Sequence, residues 1–217
     1  MNITSINRGN KQTIKFNGED VVTGIFKSPV ENAVHVSHMG IDGDIIVDKR
    51  FHGGTDQAIY LYSSEDYAWW AKEVGDDLAP GTFGENLTTQ GLDITELTIG
   101  DRLTIGEVEL EITAPRTPCF KLATRMDDPT FPKKFVNAAR PGAYARVLKE
   151  GTIKTGDEIV LEKTNGKYAN ILDVFNIWHG KDTDPKLMQK ILASPTAALH
   201  KQRIQEMYDK SITSNRD

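Results

Sequence analysis

Cysteine is almost missing. Among 217 residues only Cys119 is present. That excludes an intrachain disulfide, a zinc site built from several cysteines, and the usual four-cysteine iron–sulfur cluster. Long hydrophobic runs are missing too. No stretch approaches the ~20 apolar residues of a membrane-spanning helix. Met1-Asn2-Ile3-Thr4-Ser5-Ile6-Asn7-Arg8 has no apolar run of signal-peptide length, so a cytoplasmic protein without membrane contact is expected. Positive charge is not in excess. Lys and Arg number 26 against 31 Asp and Glu, which argues against general nucleic-acid binding. There is no Walker loop, no G-x-S-x-G and no H-E-x-x-H, and His35, His38 and His200 are not in metal-ligand spacing. A serine hydrolase or zinc protease is therefore unsupported.

What is present is the composition of a folded soluble chain, long enough for a full core. Residues 1–164 hold short β-branched runs separated by turn signals. Val21–Phe26, Ala58–Tyr62, Leu103–Ile105, Val108–Thr113, Tyr144–Leu148 and Ile159–Leu161 read as strands. Gly100-Asp101 and Gly156-Asp157 echo each other, which fits recurring turn chemistry better than a repeat. Ser63-Ser64-Glu65-Asp66 offers a cap for a helix over Tyr67–Val74, with Gly75 as its stop and Trp69-Trp70 packing one face. A second short helix is expected between Phe131 and Ala139. From about residue 168 the apolar spacing becomes helical: Ile171 to Trp178, Leu187 to Leu192 after Asp184-Pro185, and Pro195 to Tyr208. The expected fold is mainly β with α: a β-barrel-like domain over 1–164 and a small three-helix bundle over 165–217, joined through Lys163–Lys167. Eight basic and six acidic residues in the bundle make a thin case for a nucleic-acid partner.

Three segments could carry chemistry. In Pro115-Arg116-Thr117-Pro118-Cys119-Phe120-Lys121, two prolines stiffen the loop and two cations favour a thiolate. A structural cysteine in a turn is the competing reading, and the residues alone leave the two level. In Lys49-Arg50-Phe51-His52-Gly53-Gly54-Thr55-Asp56, paired glycines let backbone N–H groups approach an anion. Arg50 offers a planar fork, and His52 can transfer a proton. A solvated glycine turn explains the same residues. In Pro80-Gly81-Thr82-Phe83-Gly84-Glu85-Asn86-Leu87, an acid and an amide could read the edge of a heterocycle, or the segment could be a capped turn.

Taken together and in order, H-G-G-x-D-x-A-I-x-x-Y (His52 to Tyr62), F-G-E-N-L (Phe83 to Leu87) and P-R-x-P-C-x-K (Pro115 to Lys121) resemble the MOSC domain, named for the C-terminal domain of molybdenum cofactor sulfurase. The resemblance runs over about residues 20–163, and the helical tail is similar to that of the stand-alone bacterial YiiM-type branch. It implies a β-barrel-like fold and molybdenum cofactor (molybdopterin) binding, with Cys119 as thiolate ligand to the metal. Related proteins reduce N-hydroxylated compounds such as hydroxylaminopurines and amidoximes. Arg50, Arg116 and Lys121 suit the cofactor phosphate. Gly53, Gly54, Phe83, Gly84, Glu85 and Asn86 would line or bond the pterin, and His52 or Asp56 would supply a proton. Nothing in the chain resembles a flavin, haem or iron–sulfur site, so an external flavin or iron–sulfur reductase must deliver electrons. Two rivals stand beside this: a persulfide carrier of the sulfurase type, and a non-catalytic cofactor carrier. The sulfurase's pyridoxal phosphate domain has no room here, so that cofactor is not expected. A homodimer is left open.

Overall fold

The computed structural model describes residues 1–45, 47, 54–164 and 166–214. Its strands are β1 (Asn2–Gly9), β2 (Gln12–Phe16), β3 (Glu19–Thr23), β4 (Lys27–Pro29), β5 (Val34–Ser37), β6 (Gly40–Ile41), β7 (Ile59–Ser63), β8 (Leu87–Gln90), β9 (Arg102–Ile105), β10 (Val108–Pro115), β11 (Ala143–Lys149), β12 (Gly151–Ile153) and β13 (Val160–Glu162). The helices are α1 (Ser64–Val74), α2 (Phe120–Arg125), α3 (Phe131–Ala138), α4 (Ile171–Trp178), α5 (Pro185–Leu192) and α6 (Ala198–Ser214). One 3-10 turn, Thr55–Gln57, leads into β7, and a second, Ile94–Glu96, lies between β8 and β9.

Eight strands form one sheet in the order β13-β9-β10-β11-β7-β8-β1-β4. Its ladders are antiparallel except for β7 and β8, which run parallel and are connected through α1. The expected barrel is corrected here: the sheet is open, with β13 and β4 as its edges. Its two sides approach where the start of β1 meets Gly156–Ile159, through the isolated Asn2–Glu158 bridge and backbone bonds such as Ile3 N–H to the Asp157 carbonyl at 3.0 Å and Ile159 N–H to the Met1 carbonyl at 2.9 Å. Among the described residues no ladder joins β13 to β4. β12, β5 and β6 make a separate three-stranded sheet, and β2 pairs with β3 alone.

Local chemistry explains the elements that position the site. The Ser63 hydroxyl accepts a hydrogen bond from the Asp66 N–H, and Gly75 ends α1 in the left-handed conformation. This is the cap and stop expected from the sequence. Both Gly-Asp turns share one geometry: Asp101 accepts from the Thr98 N–H at 2.9 Å and Asp157 from the Lys154 N–H at 2.8 Å. The strand expected over Val21–Phe26 ends at Thr23, where Gly24 turns the chain away.

The tail folds as three helices, and it shares the core of the sheet. Ile171, Val174, Ile177, Met188, Ile191 and Ile204 belong to one buried apolar cluster with Ile99, Leu103, Leu110 and Ile112. Backbone bonds cross the same boundary, from Ile171 N–H to the Leu97 carbonyl at 2.8 Å and from Ile99 N–H to the Ala169 carbonyl at 3.0 Å. A second, aromatic cluster collects Tyr62, Tyr67, Trp70, Phe83, Phe131 and Phe135 beneath α1 and α3. No helix among the described residues is long and apolar enough to cross a membrane.

Candidate functional site

Strand register assembles the site. In the β10–β11 ladder Ala114 faces Tyr144, and in the β11–β7 ladder Tyr144 faces Tyr60. Paired residues point to one side of a sheet, and so does the residue two further along. Tyr60, Tyr144 and Arg116 are thus brought to one face. The Tyr60 and Tyr144 rings are 5.1 Å apart, and the Arg116 guanidinium lies over Tyr60. Past Arg116 the chain leaves the sheet, and Cys119 becomes the N-cap residue of α2.

These residues line a cleft of about 90 Å³, together with Thr23, Gly24, Ile25, Lys27, Gln57, Gly84, Asn86 and Lys121. Cys119 is half-buried, whereas Arg116 and Lys121 are buried at 5% and 8% exposure. Arg116 Nη1 has no hydrogen-bond partner among the described residues. Burial opposes its charge, but Tyr60, Tyr144 and Cys119 outweigh that and hold the guanidinium firmly protonated. Gly84 adopts φ 76°, and a Cβ there would press on the Ile25 side chain at 3.1 Å while meeting Arg116 Nη1 at an ordinary contact distance of 3.6 Å. Burial pushes the Tyr60 and Tyr144 hydroxyls upward, so both stay neutral.

Some expected site residues are in the cleft and some are not. Gly84, Asn86, Arg116, Cys119 and Lys121 are brought together. Asn86 is already engaged, its side chain accepting from the Tyr60 N–H at 3.2 Å and donating to Asp44 at 2.8 Å. Phe83 is fully buried in the aromatic cluster, stacked on Tyr62 at 4.4 Å. Glu85 is turned into the interior. Its Oε1 accepts from the Gly81 N–H at 2.6 Å, the Tyr67 hydroxyl at 2.7 Å and the Thr88 hydroxyl at 2.8 Å. Burial raises its pKa. Both residues build the loop that carries Gly84 and Asn86. Asp56 faces away as well: its carboxylate pairs with Arg146 at 3.0 Å and accepts from the Ala198 N–H at 2.9 Å. Gly54 lines a neighbouring hollow with Gly40 and Asp44. Arg50, His52 and Gly53 lie outside the described residues.

Sequence reasoning missed Lys27, Tyr60 and Tyr144 as cleft residues. Lys27 is buried and ion-paired with Asp44, and burial lowers its pKa. A lysine just before Ser28-Pro29 carries no signal of burial, and the two tyrosines read as ordinary strand residues. His179 is the C-cap residue of α4, and burial lowers its pKa to about 4, so near neutrality it carries no charge to complement the helix dipole.

The cleft fits the implied cofactor. It offers one soft donor in Cys119 and an unsatisfied guanidinium nitrogen for an anionic or polar edge. No group of three or more His, Cys, Asp and Glu that could hold a metal occurs among the described residues. A metal here would need to arrive with most of its ligands, as in a pterin dithiolene.

Comparison with known proteins decides the family, because the MOSC domain profile matches residues 48–160. The chain belongs to the MOSC domain family. Among relatives of this MOSC protein, Bacillus subtilis YflK, an uncharacterized protein, is 35% identical over 159 residues, 73% of this chain and 72% of its own. A Gibberella moniliformis protein named Reductase is 32% identical over 187 residues, 84% of this chain but only 33% of that one. YiiM of Escherichia coli is 32% identical over 135 residues, 60% of each chain. The crystal structure of YiiM from Geobacillus stearothermophilus superposes with a TM-score of 0.80 at 29% identity, covering 95% of this chain and 98% of the other.

Proposed function

We propose that this MOSC protein binds a molybdenum cofactor in the Cys119 cleft and reduces N-hydroxylated compounds. Cys119 would be the metal ligand, and an external flavin or iron–sulfur reductase would supply the electrons. One observation carries the reading: a buried, partly unsatisfied guanidinium lines the same cleft as the chain's single thiol. A relative named Reductase supports the reaction class.

When bound, the cofactor supplies two-electron chemistry at its metal. The protein's part is position and field. Arg116 presents a fixed cation over Tyr60, and Lys121 adds a second at the start of α2. Cys119 is held where the stiff Pro115–Pro118 segment meets that helix. Ile25 gives the cleft an apolar wall that limits water. The proton for water release is assigned to His52. Asp56 is committed to Arg146 and Ala198.

The test is elemental analysis for molybdenum on protein made in a cofactor-producing host, followed by an anaerobic hydroxylamine-reduction assay. Wild type should carry molybdenum and turn over, and Cys119→Ser should do neither while keeping its melting temperature. A molybdenum-free wild type, or a fully active Cys119→Ser, sinks the reading.

A further inference from the structure

The hairpin of β2 and β3 belongs to neither larger sheet. Its strands pair only with each other among the described residues. Asn17 and Gly18, at φ 51° and 84°, make its tight turn. Most of its residues are exposed, from Gln12 and Thr13 to Asp20.

Its two ends meet different walls of the cleft. At the root, Thr23, Gly24 and Ile25 line the cleft directly. The root is tightly seated: a Cβ on Gly24 would stand 1.8 Å from the Ile45 carbonyl oxygen, and one on Gly9 would stand 2.3 Å from that of Gly24. Beside the turn, Phe16 stacks on Phe120, ring centroids 4.0 Å apart with 29° between the planes. Phe120 lies in the chain between Cys119 and Lys121, which form the far wall. The hairpin therefore links the Thr23–Ile25 side of the cleft to the Cys119–Lys121 side: it is fixed at its root, Ile14 is buried mid-strand, and its tip is held by the Phe16–Phe120 stack. Such a stack contributes about 0.5–1.5 kcal/mol beyond its burial. A tip with few contacts costs less to open locally than a root seated against backbone.

We propose that this hairpin is a strap across the Cys119 cleft, and that Phe16, seated on Phe120, sets the size of ligand that enters. Small N-hydroxylated groups pass with the strap seated, and bulky ones require it to lift. The proposal rests on the reading that the Cys119 cleft is the reaction site.

Because Cys119 is the chain's single cysteine, its labelling reports access directly. Cofactor-free protein is reacted with N-methylmaleimide and, separately, with bulky fluorescein maleimide. In Phe16→Ala the bulky reagent should react roughly two- to tenfold faster, the range set by the stacking energy, while the small reagent keeps its rate. Phe16→Trp, which retains a ring, should keep the wild-type ratio of bulky to small rates. An unchanged ratio in Phe16→Ala overturns the strap, as does equal acceleration of both reagents. Labelling needs neither molybdenum nor turnover, so a failure here is distinct from a failure of the reductase reading.

Discussion

The Arg116 guanidinium lies over the Tyr60 ring, 5.1 Å from its centroid, with Nη1 buried and unpartnered among the described residues. A buried cation with an unsatisfied donor is costly to a fold. Such a group persists where a ligand completes it.

Arg116→Met should separate those two roles. The Tyr60 hydroxyl keeps its bond to the Pro141 carbonyl at 2.9 Å, so no new orphan is created. Stability of the cofactor-free protein should stay within ~1 kcal/mol of wild type, while molybdenum content after expression falls by about tenfold. Calorimetry and metal analysis read the two effects. A collapse in melting temperature would make Arg116 a structural residue.

Glu85 supports the loop through one oxygen that accepts three short hydrogen bonds. Glu85→Gln keeps a carbonyl acceptor and should retain most stability. Glu85→Ala leaves the Gly81 N–H and the Tyr67 hydroxyl without that acceptor, and should cost about 3 kcal/mol or more. Chemical denaturation measures the difference. Equal losses in the two variants would contradict the hub role.

Asp56 ties the start of α6 to Arg146. Asp56→Asn should lower stability by ~0.5–2 kcal/mol through loss of the cap and the ion pair, and leave turnover near wild type. A variant that is fully folded and inactive would return Asp56 to the chemistry.

His200 gives the tail a pH dependence of definite sign. Its ring is 1% exposed, 4.6 Å from Trp178, and among the described residues no well-formed hydrogen bond reaches either nitrogen. Burial lowers its pKa from 6.5 to about 4, the Pro115 backbone opposing only in part. Between those values the unfolded chain holds a proton that the folded chain refuses. Stability therefore falls as pH drops from 6.5 toward 4, by about 3 kcal/mol in all, and is unaffected above that window. His200→Leu should remove this share of the slope. His179, also near 4, should keep its own. Melting temperatures across the window check it, and an unchanged slope in His200→Leu would refute the assignment.

Local signals were legible in the sequence where the chain acts on itself. Ser63 and Gly75 bracket α1, and Asp184 caps α5 through the Lys186 N–H. The Pro-Arg-x-Pro-Cys segment is short, stiff and cationic, and it forms one wall of the cleft. Long-range pairing was not legible. Tyr60 meets Arg116 only because β7, β11 and β10 are neighbours, and nothing near Tyr60 announces it. β1 was missed because its polar Asn2, Thr4, Ser5 and Asn7 hide the buried Ile3 and Ile6. In Phe83-Gly84-Glu85-Asn86 the residue types were informative but their directions were not. Phe83 and Glu85 turn inward, while Gly84 and Asn86 reach the cleft.

The tail has no seam with the rest. Leu97 and Ala169 exchange backbone bonds with Ile171 and Ile99, and the apolar cluster runs through α4, α5 and α6 without interruption. A polypeptide severed near Lys163 would strip a greasy face from the sheet and orphan the Ile99 N–H and the Leu97 and Thr113 carbonyls, so the helices cannot be transplanted as a cassette. Heating should melt the whole chain in one cooperative event.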